Sequence, residues 1–321
     1  MKKALIAIGA VILTLLLVGF AVLYKYGPYY GIYIIKPSAS RYVKISMTYC
    51  EYGYLASTDE WKKTEADILD RASDIKTFDE AHALLDEAAK AAGGPSSKIV
   101  PPEDVGYEEE DLMPSLSLDS DGILYVDLEP IFNPDNIREY SNTVVDYYKE
   151  HQSEVKGVIL DYRDINGMNI VAAMGAISPF VNDGPQFSFR APGLDTPVAV
   201  RDGVASTGGG YTVSVDPVKA DPSCPIAILQ DENTVSAAEM SIVAFEDKDN
   251  VRTFGHTTAG ACNSLNPTML YDGAVMYVVV GPVVTKSGKE ILTDGLAPDV
   301  ETVTSKEAYD AAREWLLSEI K

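Results

Sequence analysis

The pattern of apolar and polar positions opens with one long uncharged run. Residues 4–24 contain no charged side chain, and Lys2, Lys3 and Lys25 flank them. A helix of 21 residues at ~1.5 Å per residue measures roughly 30 Å, the thickness of a bilayer core. The run exceeds the ~7–15 apolar residues of a signal peptide, and no Ala-x-Ala cleavage site follows it. We therefore predict an uncleaved transmembrane anchor over residues 1–25, with a cleaved signal peptide as the alternative.

Both alternatives put the remainder of the chain outside the cytoplasm. We expect a single-pass protein of the cell membrane with an extracytoplasmic core. Lysines lie on both sides of the run, so the positive-inside rule gives this orientation little support. Tyrosines at the end of the run are typical of an interfacial aromatic belt: Tyr24, Tyr26, Tyr29 and Tyr30.

Residues 26–110 predict a helical region. Apolar residues recur at three- and four-residue spacing over residues 61–69 and 78–92. Thr77 with Glu80 has the spacing of a capping box at the start of the second helix. A polar loop with an acidic run at residues 108–111 follows, and we interpret it as a solvated surface.

From residue 111 to 321 the pattern changes to short apolar segments alternating with amphipathic ones. Strands are predicted at residues 123–128, 157–162, 226–229 and 251–254, and a hairpin at 269–284. Helices are predicted at residues 136–152, 169–181, 236–246 and 305–320. Two of the strands are almost wholly apolar, which is expected of strands buried on both faces. The alternation predicts an α/β core.

Composition narrows the chemistry. The net charge of −22 argues against nucleic acid as a partner, because binding it requires clustered Lys and Arg. Three cysteines without a CxxC pair, together with only three histidines, suggest neither a disulfide scaffold nor a metal site. No cofactor is expected.

Three polar segments follow predicted strands. Asn233–Glu239 opens a helix, so the hydroxyl of Ser236 would lie at the carboxyl edge of the sheet and at a helix N-terminus, as a nucleophile requires. The same Ser-x-x-Glu spacing is also that of a capping box, which would give Ser236 a structural role and no catalytic one. Residues 161–169 and 254–260 are glycine-containing loops that fit either substrate contact or simple turns. His256 in the last loop is by itself more typical of a loop residue than of a base.

Together these segments resemble the C-terminal-processing, or tail-specific, serine protease family, in its short branch without a PDZ insert. The matching stretches are Val158–Asn169, Thr234–Glu239, Phe254–Gly260 with a later Asn263 or Asn266, Asp272-Gly273 and Gly295–Asp299. The resemblance extends from about Lys98 to the C-terminus. It implies a crotonase-like (ClpP/crotonase) core with the helical region over its cleft, and hydrolysis of peptide or protein substrates.

By this resemblance Ser236 is the nucleophile. The backbone N–H of Ala237, with one from Gly167 or Met168, would form the oxyanion hole. Glu239 would support the serine helix or make a supporting hydrogen bond behind the catalytic groups.

The sequence departs from the family where the general base belongs. One branch has a Lys 25 residues after the serine, and Ala261 stands there. Another has a His in a Gly-Gly-x-His-Ser stretch, and Ser96 stands there. Met168 also replaces the second glycine of the oxyanion loop. A hydroxyl is a poor nucleophile without a base, so activity is expected to be impaired or absent.

Three outcomes follow for the base. Lys98 would face the same side as Ser96 in an extended segment, but could act only if burial lowered the pKa of its amine. His256 is the second candidate. Otherwise Ser236 is not activated, and the chain is a non-catalytic, peptide-binding relative. A purely structural surface protein is the remaining, weaker alternative.

Overall fold

The structure is a computed structural model that describes residues 2–106, 111–208, 210–221, 223–246 and 248–320, without the side chains of residues 2–7. Most of the acidic run at residues 108–111 therefore lies outside the described residues. The chain divides into two compact units. The first comprises residues 1–106 and 265–279, and the second comprises residues 107–264 and 280–321. The sequence predicts a single boundary near residue 110. In the structure the first unit is discontinuous, because residues 265–279 also belong to it.

The first unit is mainly helical. Its helices are α1 (Lys2–Tyr26), α2 (Ala39–Cys50), α3 (Asp59–Arg71) and α4 (Phe78–Gly93). The unit also contains strand β1 (Lys98–Val100), most of β11 (Asn263–Met269) and the first half of β12 (Val275–Thr285). β11 and β12 form the predicted hairpin, and β1 pairs antiparallel with β12. Within the described residues, the segment Ile8–Tyr30 is long and apolar enough to cross a membrane.

Local signals explain where these helices begin and end. The side chain of Thr58 caps α3. Thr77 and Glu80 form the predicted capping box at the start of α4. That helix ends at Gly94, whose φ of 89° lies in the left-handed region that glycine tolerates. The buried faces of α2, α3 and α4 pack with the hairpin around Tyr42 and Trp61.

The second unit is built on a six-stranded sheet. In spatial order its strands are β14 (Val300–Glu301), β10 (Val251–Gly255), β9 (Ile226–Gln230), β4 (Gly157–Asp161), β3 (Ile123–Asp127) and β2 (Ser115–Leu118). All neighbours are parallel except β2 and β3. Its helices are α5 (Ile137–His151), α6 (Ile170–Ala176), α7 (Ala237–Val243) and α8 (Ser305–Glu319). The predicted α/β alternation is therefore present, with α6 and α7 shorter than their patterns suggest.

Side-chain alternation buries both faces of this sheet. Val158 and Leu160 of β4 point into the larger core, which includes residues of α5, α6 and α7. Ile159, between them, points to the opposite face and packs in the cluster that contains Ala312 and Leu316 of α8. Because both faces are covered by helices, the central strands β4 and β9 consist almost entirely of apolar residues.

A second, antiparallel layer was absent from the sequence-based prediction. It consists of β5 (Gly184–Ala191), β6 (Leu194–Arg201), β7 (Val204–Thr207) and β8 (Thr212–Ser214), and β5 also pairs with the end of β12. The remaining short strand, β13 (Glu290–Ile291), pairs with β12 as well. Asp202 and Gly203 both have positive φ in the β6–β7 turn, so this Asp-Gly pair was a hairpin signal available in the sequence.

Candidate active site

Three loops of the second unit leave the same edge of the sheet. They follow β4, β9 and β10, which are parallel neighbours in register: Asp161 aligns with Leu229, and Gly255 aligns with Gln230. Because parallel strands end on one side, the three predicted polar segments share that side. The topology therefore brings the sequence motifs around Gly167, Ser236 and His256 to a single edge.

Ser236 is held in a strained backbone conformation. Its φ of 58° and ψ of −114° lie outside the regions that a residue with a side chain prefers. It immediately precedes α7 and is half-buried. Among the described residues only Asp164 and Asp202 share a positive φ without being glycine. Asp164 lies in the neighbouring loop after β4, so two of these three residues lie at this edge.

The carboxylate of Glu239 organises the serine loop. It is fully buried and accepts the backbone N–H of Ser236 at 2.8 Å, as a capping box requires. It also accepts the Thr258 hydroxyl at 2.6 Å and the backbone N–H groups of Gly260 and Ala261 at 2.9 and 2.8 Å. Four donors thus surround one carboxylate. Glu239 acts as a hub between the serine loop and the loop after β10, a larger role than helix capping.

Of the backbone N–H groups predicted to form the oxyanion hole, one is already hydrogen-bonded within the protein. The N–H of Gly167, whose φ is 94°, donates to the carbonyl of Ile165 at 2.8 Å. That carbonyl also accepts the N–H of Val235 at 3.0 Å. In the part of the chain that the structure describes, the N–H groups of Met168 and Ala237 donate to no protein acceptor. Of the two predicted donors in the first loop, Met168 is therefore the one with a free N–H.

The first two loops are held together by polar contacts. Asp231 is buried, and its carboxylate accepts the N–H of Asp164 at 3.1 Å and that of Asn233 at 3.0 Å. Burial raises the pKa of the Asp231 carboxyl above its ordinary value. The hydroxyl of Thr234 donates to the carbonyl of Tyr162 at 2.8 Å. These contacts fix Ser236 relative to the Gly167 loop.

Within the described residues, the hydrogen bonds of His256 involve its backbone groups. Its N–H donates to the carbonyl of Gln230, and its own carbonyl accepts the Gln230 side chain. In the described chain, its imidazole forms no hydrogen bond with Ser236. The polar side chain that this loop contributes is instead that of Thr258, which also accepts the N–H of Leu296 at 2.8 Å.

Ser96, which the resemblance aligns with the family base, and the nearby Lys98 belong to the first unit. Ser96 lies in the turn after α4 and is half-buried. The neighbouring Ser97 is buried, and its hydroxyl accepts the N–H of Val279 at 3.0 Å. Lys98 begins β1 opposite Tyr277 and is exposed. Lys98 therefore lacks the burial on which its role as a base depends.

Sequence reasoning overlooked several residues that shape this edge. Thr258 and Gly260 were part of a recognised motif but had no role assigned to them. Asp231 and Thr234 precede the serine, and their contacts extend to another loop, so spacing along the chain could not reveal them. Their position directly after a buried strand was one signal, and Thr234 also begins the matched stretch Thr234–Glu239.

Comparison with known proteins adds a family and a fold. The family model for "Peptidase family S41" matches residues 122–302. The nisin-resistance protein of Lactococcus lactis subsp. lactis is 27% identical over 98% of both chains. The chloroplastic carboxyl-terminal-processing peptidase 3 of Arabidopsis thaliana is 25% identical over 49% of this chain and 28% of that protein. A lipoprotein structure from Streptococcus agalactiae superposes with a TM-score of 0.76 and 23% identity, covering 90% of this chain and 99% of the other.

Proposed function

Since this chain belongs to peptidase family S41, we propose that it is a membrane-anchored, extracytoplasmic serine-type peptidase that forms an acyl-enzyme at Ser236 with strongly slowed catalysis. The sequence resemblance to the tail-specific serine proteases is confirmed at the level of the family. The alternative is a peptide-binding pseudoprotease that keeps the fold and does not hydrolyse.

One observation carries the proposal: Ser236 is strained, and among the described residues the backbone N–H groups of Ala237 and Met168 donate to no protein acceptor. The positive φ of Ser236 costs about 1–3 kcal/mol and is retained. The free N–H groups of Ala237 and Met168 are the donors that a tetrahedral intermediate needs for its oxyanion. A residue that served only as a helix cap would need neither feature.

The missing base is the reason for proposing slow turnover. Acyl transfer from a serine without its base loses several orders of magnitude in rate. Ser96 and Ala261 occupy the two family positions, Lys98 is exposed, and His256 makes no hydrogen bond with Ser236 in the described chain. The hydroxyl of Ser236 therefore has no identified proton acceptor.

The substrate class follows from the family and from one relative. Peptidase family membership implies a peptide or protein substrate. Similarity to a protein named for nisin resistance, over 98% of both chains, makes the peptide nisin the first substrate to test. The parallel sheet with helices on both faces is compatible with a crotonase-like core, and α1 is compatible with a retained anchor. Both remain parts of the proposal.

Labelling with a fluorophosphonate probe tests the nucleophile. Slow labelling of the wild type that disappears in Ser236→Ala supports the peptidase with impaired catalysis. Absence of labelling, with nisin still bound in a calorimetric titration, supports the pseudoprotease. Fast labelling would show that a base has been missed. Absence of both labelling and peptide binding would overturn both functions.

Introducing the general base of each family branch tests whether its absence is what slows catalysis. Ser96→His with Met168→Gly rebuilds one branch of the family, and Ala261→Lys rebuilds the other. We expect one of these variants to cleave nisin at least ~100-fold faster than the wild type, the scale of general-base catalysis. The same substitutions combined with Ser236→Ala should stay inactive and serve as the matched control.

A further inference from the structure

Charge is distributed very unevenly along this chain. The first fifty residues contain no acidic side chain and six cations: Lys2, Lys3, Lys25, Lys36, Arg41 and Lys44. Because the whole chain carries −22, the remaining 271 residues carry −28. Four of the six cations fall within residues 24–44, the juxtamembrane segment, where α1 ends and α2 begins. In this strongly acidic protein, the segment that follows the apolar helix is thus cationic.

Arg41 connects the start of α2 to the end of α1. Its Nη2 donates to the carbonyl of Tyr24, and its guanidinium carbon lies 3.6 Å from the centroid of the Tyr24 ring. A guanidinium keeps its charge at any physiological pH and is costly to bury in hydrocarbon. In a chain anchored through α1, this contact would hold Tyr24 at the level of the membrane–water interface. Residues 4–23 then span roughly 30 Å, which matches a bilayer core.

Beyond Tyr24 the segment exposes large apolar side chains. Five of seven consecutive positions are strongly exposed: Tyr29 (48%), Tyr30 (81%), Ile32 (49%), Ile34 (39%) and Ile35 (52%). Tyr33, between them, turns inward, and its ring lies 4.6 Å from that of Tyr271. Gly27 and Pro28 are also buried. The exposed residues therefore belong to an ordered segment, and such clustering is typical of an interaction surface.

We propose that the juxtamembrane segment docks on the surface of an anionic lipid bilayer. Ile32, Ile34 and Ile35 would enter the boundary between headgroups and acyl chains, and the lysines would contact anionic headgroups. Two observations select lipid as the occupant: the segment is continuous with α1, and its positive charge contrasts with the acidic remainder. The inference rests on the retained anchor of the proposed function, but not on the chemistry at Ser236.

The experiment uses the full chain reconstituted into vesicles. Ile34→Cys is labelled with an environment-sensitive nitrobenzoxadiazole, and the lipids carry headgroup nitroxides. The three native cysteines are buried, so the introduced thiol is labelled selectively. The control is Val303→Cys in the second unit, a position that is 81% exposed. In vesicles of equal phosphatidylglycerol and phosphatidylcholine we expect a blue shift and several-fold stronger quenching at position 34 than at position 303.

Charge variants and lipid composition complete the test. Lys36→Glu with Lys44→Glu, or pure phosphatidylcholine vesicles, should weaken docking by about fivefold for each lost lysine contact. A label at position 34 that is as water-exposed as the one at 303 would overturn the proposal. A blue shift without nitroxide quenching would also overturn it, because the segment would then contact protein. Mass spectrometry of the reconstituted chain shows whether the anchor is retained. Nisin cleavage is measured in a separate assay. Failure of membrane docking can therefore be distinguished from failure of the proposed peptidase function.

Discussion

The carboxylate of Glu239 accepts the backbone N–H of Ser236 at 2.8 Å from a fully buried position. Three further donors, from Thr258, Gly260 and Ala261, occupy its remaining lone pairs. The candidate nucleophile therefore depends on a carboxylate that is shared with the loop after β10. A change in that loop will alter the backbone of Ser236 without touching its hydroxyl.

Replacing Glu239 should destabilise the second unit. Glu239→Gln presents an amide NH2 to backbone N–H donors, so we expect a loss of about 2–3 kcal/mol in the free energy of unfolding. Urea unfolding followed by Trp315 fluorescence in a Trp61→Phe background measures this for the second unit. Glu232→Gln, an exposed change in the same loop, is the control and should stay within about 0.5 kcal/mol. Equal stability of the two variants would contradict the hub role of Glu239.

Two variants that both lack the hydroxyl test the strain at Ser236. Glycine tolerates a φ of 58° and alanine does not. In the glycine variant, relief of the backbone strain stabilises the folded state by about 1–3 kcal/mol. Glycine also gives the unfolded chain more conformational entropy than alanine, which offsets about 0.4–1 kcal/mol of that gain. Ser236→Gly should therefore be about 1 kcal/mol more stable than Ser236→Ala by the same urea assay. A less stable glycine variant would show that the backbone there is relaxed.

Position 255 needs glycine for two reasons: a Cβ would clash with a neighbouring atom, and the backbone φ is positive. A Cβ there would lie 1.9 Å from the carbonyl oxygen of Gln230, and its φ is 126°. Gly193 has a φ of 77° with no atom within 4 Å of its Cβ position, which makes it a matched control. We expect Gly193→Ala to cost about 1 kcal/mol and Gly255→Ala about 3 kcal/mol or more. Similar costs in urea unfolding would show that strand β10 can move to accept the methyl group.

The native thiols should be inert to disulfide reagents. Burial raises the pKa of Cys224 to about 11 and that of Cys50 to about 12. At pH 8 only about one Cys224 thiol in a thousand is then ionised, and the thiolate is the reactive form. Reaction with dithionitrobenzoate should be negligible in the folded chain and should reach three equivalents in denaturant. A rapid native equivalent would show that one of the cysteines is accessible.

Periodicity was most reliable where both faces of an element are buried. Strands β4 and β9 were predicted within one residue, because a short apolar run buried on both faces has few alternative structures. Strands β3 and β10, which are less completely buried, were also predicted within one residue. The antiparallel strands β5 to β8 were missed. Many of their residues are partly buried or exposed, and their alternation is broken by Gly and Pro, although the Asp202-Gly203 turn was a usable signal.

The sequence predicted which residues form the candidate site, but it did not predict the hydrogen bonds between them. Ser236, Glu239 and the oxyanion loop followed from ordered motifs. The preference for Met168 over Gly167 as a free donor depends on a hydrogen bond from Gly167 to Ile165, which no spacing reveals. The exposure of Lys98 likewise became visible only in the folded chain.

The sequence by itself determined the apolar helix, the alternating α/β core and the set of residues at the strand ends, because these depend on local periodicity and on parallel strands ending together. Only the tertiary structure decided how those residues are connected. Glu239 collects donors from two loops, and Asp231 links the loops after β4 and β9. Hydrogen bonds between distant segments depend on angles and distances that the chain acquires after packing, so the linear order of residues does not encode them individually.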